Sequence, residues 1–159
     1  MGITTRYFDP RIGSGIADMT TERTRAVFME SPGSLTFEIQ DLPAITEALS
    51  GRDIAVIVDN SWATPLFYKP LSLGADIVIH SATKMFVGHS DAMMGTVSAN
   101  DAYLDRLVQT HRTFGLIASP DDTYLATRGM RTLTVRMKEH QARALELAGW
   151  IERLGGIEV

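Results

Sequence analysis

Short apolar runs alternate with amphipathic stretches along the first hundred residues, a pattern that predicts strands separated by helices. Arg25-Ala26-Val27-Phe28-Met29 reads as a buried strand that stops at Glu30-Ser31-Pro32-Gly33. Asp41-Leu42-Pro43 then opens a helix, with an aspartate cap and an early proline, and Gly51 closes it. Ile54 to Val58 is a second apolar strand, ending at Asp59-Asn60. Strand, helix and strand at this spacing make a βαβ unit, so these two strands are expected to be parallel with a right-handed crossover. A turn-and-helix region around Pro65 to Leu73 leads to a third strand, Ile77 to Ile79. Gly95-Thr96-Val97-Ser98 is a shorter fourth.

The second half reads as helical. Tyr103, Leu104, Leu107 and Val108 follow helical spacing after an Asn100-Asp101 cap. Ser119-Pro120-Asp121-Asp122 is a helix start, with a hydroxyl cap, proline at the first position and acids in the first turn. A closing helix, roughly Thr134 to Leu154, places Met137, Ala144, Ala148 and Ile151 on one stripe, and Gly155-Gly156 stops it. Residues 1–24 are mixed and polar, broken by Asp9-Pro10 and Gly13-Ser14-Gly15. Ile157-Glu158-Val159 resembles the beginning of another strand. No repeat, low-complexity tract or linker interrupts the chain.

Composition narrows the function classes. The 159 residues are 45% hydrophobic and 21% charged, which fits a folded core and argues against disorder. A net charge of −4 gives no electrostatic case for nucleic acid or an anionic membrane as partner. No stretch is long and apolar enough to cross a bilayer, and Met1-Gly2-Ile3-Thr4-Thr5 lacks the regions of a signal peptide. Cysteine is absent, which excludes thiol and disulfide chemistry and fits a reducing compartment. The expected location is the cytoplasm.

The chemistry concentrates at strand ends. Three of them carry Glu30-Ser31, Asp59-Asn60 and Ser81-Ala82-Thr83-Lys84, at the edge of the sheet where ligands gather in open α/β folds. Lys84 is either an ordinary surface lysine or a Schiff-base amine for an aldehyde cofactor, with Ser81 and Thr83 as hydroxyl donors to an anionic group. Asp59 closes an all-apolar strand and calls for a positive partner. A protonated pyridine nitrogen would serve, and so would an arginine in a structural ion pair. Aspartate, lysine and neighbouring hydroxyls match the ring nitrogen, aldehyde and phosphate of pyridoxal phosphate. Glycine-rich dinucleotide loops, phosphate loops and histidine pairs at metal spacing are absent; His80, His89, His111 and His140 are unclustered, and no metal is expected.

The run from Asp76 through Ile77-Val78-Ile79-His80-Ser81-Ala82-Thr83-Lys84-Met85-Phe86-Val87-Gly88-His89-Ser90 resembles the signature of the cysteine/methionine-metabolism group of pyridoxal-phosphate enzymes. Met85 departs from it, an aromatic residue being more usual there. Val58-Asp59-Asn60-Ser61-Trp62-Ala63-Thr64-Pro65 and Arg128-Gly129-Met130-Arg131-Thr132-Leu133, with His140 downstream, are similar to further stretches of the group in the same order. Glu30-Ser31-Pro32-Gly33-Ser34, Gly88-His89-Ser90-Asp91-Ala92-Met93 and Thr4-Thr5-Arg6-Tyr7-Phe8-Asp9-Pro10 look most like its bacterial cystathionine β-lyase branch.

The resemblance implies an α/β fold: a three-layer, mostly parallel sheet with flanking helices, part of the large domain of a fold-type I, aspartate aminotransferase-like enzyme. Residues 1–154 would belong to that domain and 155–159 would begin a carboxyl-terminal one. It further implies Lys84 as covalent anchor and proton carrier, Asp59 on the pyridine nitrogen, and Ser81 and Thr83 on the phosphate. The implied reaction is β-elimination of L-cystathionine, or a related thioether, to homocysteine, pyruvate and ammonia. A γ-lyase, γ-synthase or sulfhydrylase of the same group, or a non-catalytic folded piece, is the alternative. The resemblance implies, for a full-length enzyme more than twice this length, a homotetramer built as a dimer of dimers. The family's ring-stacking tyrosine, residues lent by a neighbouring subunit and the arginine for the substrate carboxylate fall outside the matched stretch.

Overall fold

The computed structural model describes residues 2–154, and the readings made above for Gly155-Gly156 and Ile157-Glu158-Val159 lie outside them. Four strands form one sheet in the order β1-β2-β3-β4: Ala26–Glu30, Ala55–Asp59, Ile77–Ser81 and Gly95–Ala99. The first three are parallel, and β4 runs antiparallel to β3. Each parallel strand reaches further than its apolar run, because the backbone ladder continues through polar residues. Glu30 still pairs with Asp59, and Ser81 with Gly95.

Alternation along the strands separates two faces. Val27, Met29, Val56, Val58 and Val78 are buried in a core completed by Leu42, Ile45 and Leu49. Leu42 and Ile45 come from α2 (Leu42–Ala48), which starts as its sequence predicts: the Asp41 carboxylate accepts the Ala44 N–H at 3.1 Å. The short helix α1 (Ile16–Met19) also delivers Ile16 to this core, 2% exposed. The sequence of residues 1–24 predicts no element there, since one buried isoleucine has no periodicity to announce it. A brief α3 (Thr64–Phe67) and a 3-10 turn (Pro70–Leu73) connect β2 to β3.

Asp76 stitches the start of the sheet together. Its Oδ2 accepts the Val56 N–H at 2.8 Å and its Oδ1 accepts Nδ2 of Asn100, also at 2.8 Å. Asn100 in turn caps α4 (Asp101–Phe114) by accepting the Tyr103 N–H, and Gly115 closes that helix at φ 62°. Helices α5 (Pro120–Met130) and α6 (Leu133–Arg153) follow. Ser119 caps α5 through the Asp122 N–H, as its sequence predicts. The stripe expected on α6 is buried only at its beginning. Leu133 and Met137 are buried, Ala148 and Ile151 are half-buried, and Ala144 is exposed. Periodicity shows which residues share a face, and it is silent on whether anything covers that face.

The chain divides into two units. One contains the described residues up to Ser81 together with Gly95–Ile117, and therefore the whole sheet. The other contains Ala82–Met94 and the described residues from Ala118 onward.

Candidate active site

In the first unit, Asp59 ends β2 and Ser81 ends β3. Asp59 pairs with Glu30 on one side and Ile79 on the other, so alternation sets Glu30, Asp59 and Ser81 on the same face at the carboxyl end of three parallel strands. All three are half-buried, on the face opposite the apolar core. The turn after β2 is organised around the carboxylate. Asp59 Oδ1 accepts the Ser61 N–H at 2.9 Å, and Ser61 Oγ accepts the Ser81 N–H at 2.7 Å. Ser61 thus ties the two strand ends together. Ser81 Oγ has no hydrogen-bond partner among the described residues.

Of the two cations anticipated for Asp59, the structural one is not supplied. No lysine or arginine among the described residues forms an ion pair with it. His80, 6% exposed, lies within its field: burial pushes the imidazole pKa below its ordinary value, and the Asp59 charge opposes that shift in part.

The following residues hold the turn rigidly. Asn60 is fully buried; its N–H donates to the Ile79 carbonyl at 2.8 Å and its Nδ2 to the Tyr68 carbonyl at 2.9 Å. Thr64 adopts φ 59°, a costly conformation for a β-branched residue, directly before Pro65, which disfavours the right-handed alternative. Trp62 packs edge-on against Phe37, ring centroids 5.3 Å apart.

In the second unit, Lys84 is exposed on a tight turn. The Val87 N–H donates to the Ala82 carbonyl at 2.9 Å and the Gly88 N–H to the Lys84 carbonyl at 2.8 Å. Thr83 is committed to Met94: its Oγ1 donates to the Met94 carbonyl at 3.2 Å and accepts the Met94 N–H at 2.9 Å. The hydroxyl keeps a lone pair, but it can donate to an anion only by leaving the Met94 carbonyl. Sequence reasoning missed this partner because it lies eleven residues away. An open cavity of about 740 Å³ adjoins Lys84, with Asp91, Asp122, Arg136 and His140 among its walls. Arg128 pairs with Asp91 at 3.1 Å.

Comparison with known proteins identifies the group to which these residues belong. The family model for Cys/Met-metabolism pyridoxal-phosphate-dependent enzymes matches residues 1–158. The chain belongs to that family. A putative cystathionine beta-lyase of Rhizobium johnstonii is 43% identical over 152 residues, covering 96% of this chain and 38% of its own length. The cystathionine beta-lyase of Escherichia coli is 40% identical over 153 residues, covering 95% of this chain and 39% of its own. A crystal structure of cystathionine gamma-lyase from Lactobacillus plantarum, complexed with L-serine, superposes with a TM-score of 0.90 at 33% identity. It covers 95% of this chain and 40% of that one. The chain thus spans about two-fifths of the relatives it matches.

The cofactor of the Cys/Met-metabolism family is pyridoxal phosphate, and the residues present fit it. Among the described residues, the first unit offers a half-buried carboxylate with no lysine or arginine ion pair and a hydroxyl with no hydrogen bond. The second offers an exposed primary amine on a hydrogen-bonded turn. The fold itself is the family's partial sheet, mostly parallel with flanking helices. Among the described residues no helix is long and apolar enough to cross a membrane.

Proposed function

We propose that this chain is the lysine-bearing part of a carbon–sulfur lyase that eliminates homocysteine from L-cystathionine, the remaining three-carbon fragment taking up water to give pyruvate and ammonia. The observation that carries the reading is Asp59: a half-buried carboxylate ending β2, without a lysine or arginine ion pair among the described residues, in a chain whose signature lysine follows the next strand. When bound, pyridoxal phosphate supplies a sink for the electrons of the substrate's Cα–H bond. Lys84 Nζ anchors it, takes the Cα proton and returns a proton to the departing sulfur. Asp59 would keep the ring nitrogen protonated by its charge, Ser81 Oγ would donate to the phosphate, and Thr83 would join it by exchanging its bond to Met94.

The similarity to both β-lyases and a γ-lyase leaves the bond broken as a property of the whole protein. Elimination at the γ-carbon is therefore a second reading, and it begins with the same proton transfer at Lys84. A cytoplasmic location and a homotetramer belong to the proposal. Exposed Leu145, Leu147 and Trp150 on α6 favour burial against further polypeptide.

The chain has three lysines, Lys69, Lys84 and Lys138, which makes the test direct. Borohydride reduction after mixing with pyridoxal phosphate should label Lys84, and Lys84→Ala should abolish the label. Labelling spread over Lys69 and Lys138 instead would refute the assignment. In a chain extended to the length of its relatives, pyruvate with homocysteine marks β-elimination and 2-oxobutyrate with cysteine the γ alternative.

A further inference from the structure

Arg136, on α6, holds the backbone that follows Lys84. Its Nη2 donates to the Met85 carbonyl at 2.9 Å and to the Gly129 carbonyl at 2.9 Å, while Nε donates to Thr132 Oγ1 at 3.1 Å. Thr132 Oγ1 itself donates to the Gly129 carbonyl at 3.1 Å. Two glycines make room for this arrangement. A Cβ on Gly88 would collide with the Arg136 guanidinium, and one on Gly129 would collide with the carbonyl oxygens of Phe86 and Val87. The stretch 85–88 therefore runs between a guanidinium group and a bare patch of α5.

The use of the charge is unusual. Among the described residues Arg136 meets no carboxylate; all its bonds go to main-chain carbonyls and one hydroxyl. A charge-assisted bond to a carbonyl is stronger than a neutral one, and a planar fork reaches several acceptors at once where an ammonium cannot. Met85 is the residue after Lys84, and its carbonyl is the one seized. The Lys84 and Ala82 carbonyls are fixed by the Gly88 and Val87 N–H groups, and Thr83 by Met94. Lys84 thus stands on a turn anchored before and after it, beside the cavity that Arg136 also lines.

We propose that Arg136 is a positioning residue for Lys84: by holding the Met85 and Gly129 carbonyls it keeps the turn in one geometry and presents the amine in one direction. The proposal rests on the reading of Lys84 as the cofactor's anchor, and two independent measurements separate them.

The first needs no cofactor. Amide exchange of Val87 and Gly88 should accelerate about tenfold or more in Arg136→Met, the scale of one lost charge-assisted bond, with the rest of α6 unchanged. The second follows borohydride trapping of pyridoxal phosphate at Lys84 and the pH midpoint of its absorbance band. Arg136→Met should slow trapping about tenfold to a hundredfold, the scale of a misplaced reacting group, and move the midpoint. Arg136→Lys should recover part of both effects. Thr132→Val, which removes the Nε acceptor and the Thr132 bond to the Gly129 carbonyl but leaves both Nη2 bonds in place, should give a smaller change in the same direction and serves if Arg136→Met does not fold. Unchanged exchange, or loosened exchange with unchanged trapping and midpoint, overturns the positioning role. Failure of the unsubstituted chain to label at Lys84 overturns the anchor reading and the positioning role with it, whatever the exchange shows.

Discussion

Thr83 and Met94 are joined by three hydrogen bonds: the Thr83 N–H and Oγ1 both donate to the Met94 carbonyl, and the Met94 N–H donates to Oγ1. The residue before Lys84 is therefore fixed by its own hydroxyl. Thr83→Val keeps the shape and deletes two of the bonds, leaving the Met94 N–H without its partner. The expected loss is about 1–3 kcal/mol of stability in denaturant titration, with Thr83→Ser within about 1 kcal/mol of the parent.

Gly129 and Gly149 make opposite predictions within consecutive helices. Helix propensity favours alanine over glycine at both, by about 1 kcal/mol. At Gly149 the nearest atom to an added Cβ is Arg153 Nη1 at 3.7 Å, so Gly149→Ala should be neutral or stabilising. At Gly129 the Cβ would collide with two main-chain carbonyls, which cannot swing aside as a side chain can. Gly129→Ala should lower stability by about 2 kcal/mol or more, read from thermal or denaturant unfolding. A rise at Gly129 would contradict the close approach.

Asp76→Ala should be among the costlier single changes. It strips a charged acceptor from the Val56 N–H, in a residue 3% exposed, and from Asn100 at the start of α4. The expected loss is about 2–3 kcal/mol, measured by denaturant titration, and Asp76→Asn should retain part of it.

His80 makes stability depend on pH. Its folded pKa lies below the ordinary 6.5 because burial disfavours the imidazolium, so the unfolded chain binds the extra proton first. The contribution is complete above about 6.5, falls as the pH drops below that value, and levels off below the folded pKa. Replacing His80 with asparagine should flatten this slope in unfolding curves taken across the window. Asp59→Asn removes the attraction that opposes the shift, so the His80 titration followed by NMR should move further down.

Much of this was legible in the chain. Val27 and Met29, Val56 and Val58 alternate as buried residues must, and Asp41, Asn100 and Ser119 cap the helices that their own local chemistry predicts. These signals are local, with donor and acceptor three residues apart or apolar neighbours two apart. Ile16 carried no such signal. Ala144 carried a misleading one, since it shares a stripe with Met137 and yet is exposed.

The sequence by itself determined the strand order of the chemistry: a carboxylate after one apolar run, hydroxyls and a lysine after the next, in a pattern that marks the family. Short-range periodicity and motif spacing are written residue by residue, so they survive without a structure. Only the tertiary structure decided how those groups are held. It gave Thr83 to Met94, left Asp59 without a lysine or arginine ion pair among the described residues, tied Ser61 to Ser81, and brought Arg136 to the carbonyl of Met85. Arg136 and Met85 are 51 positions apart in the chain. No local propensity links residues at that separation, and packing alone selects them.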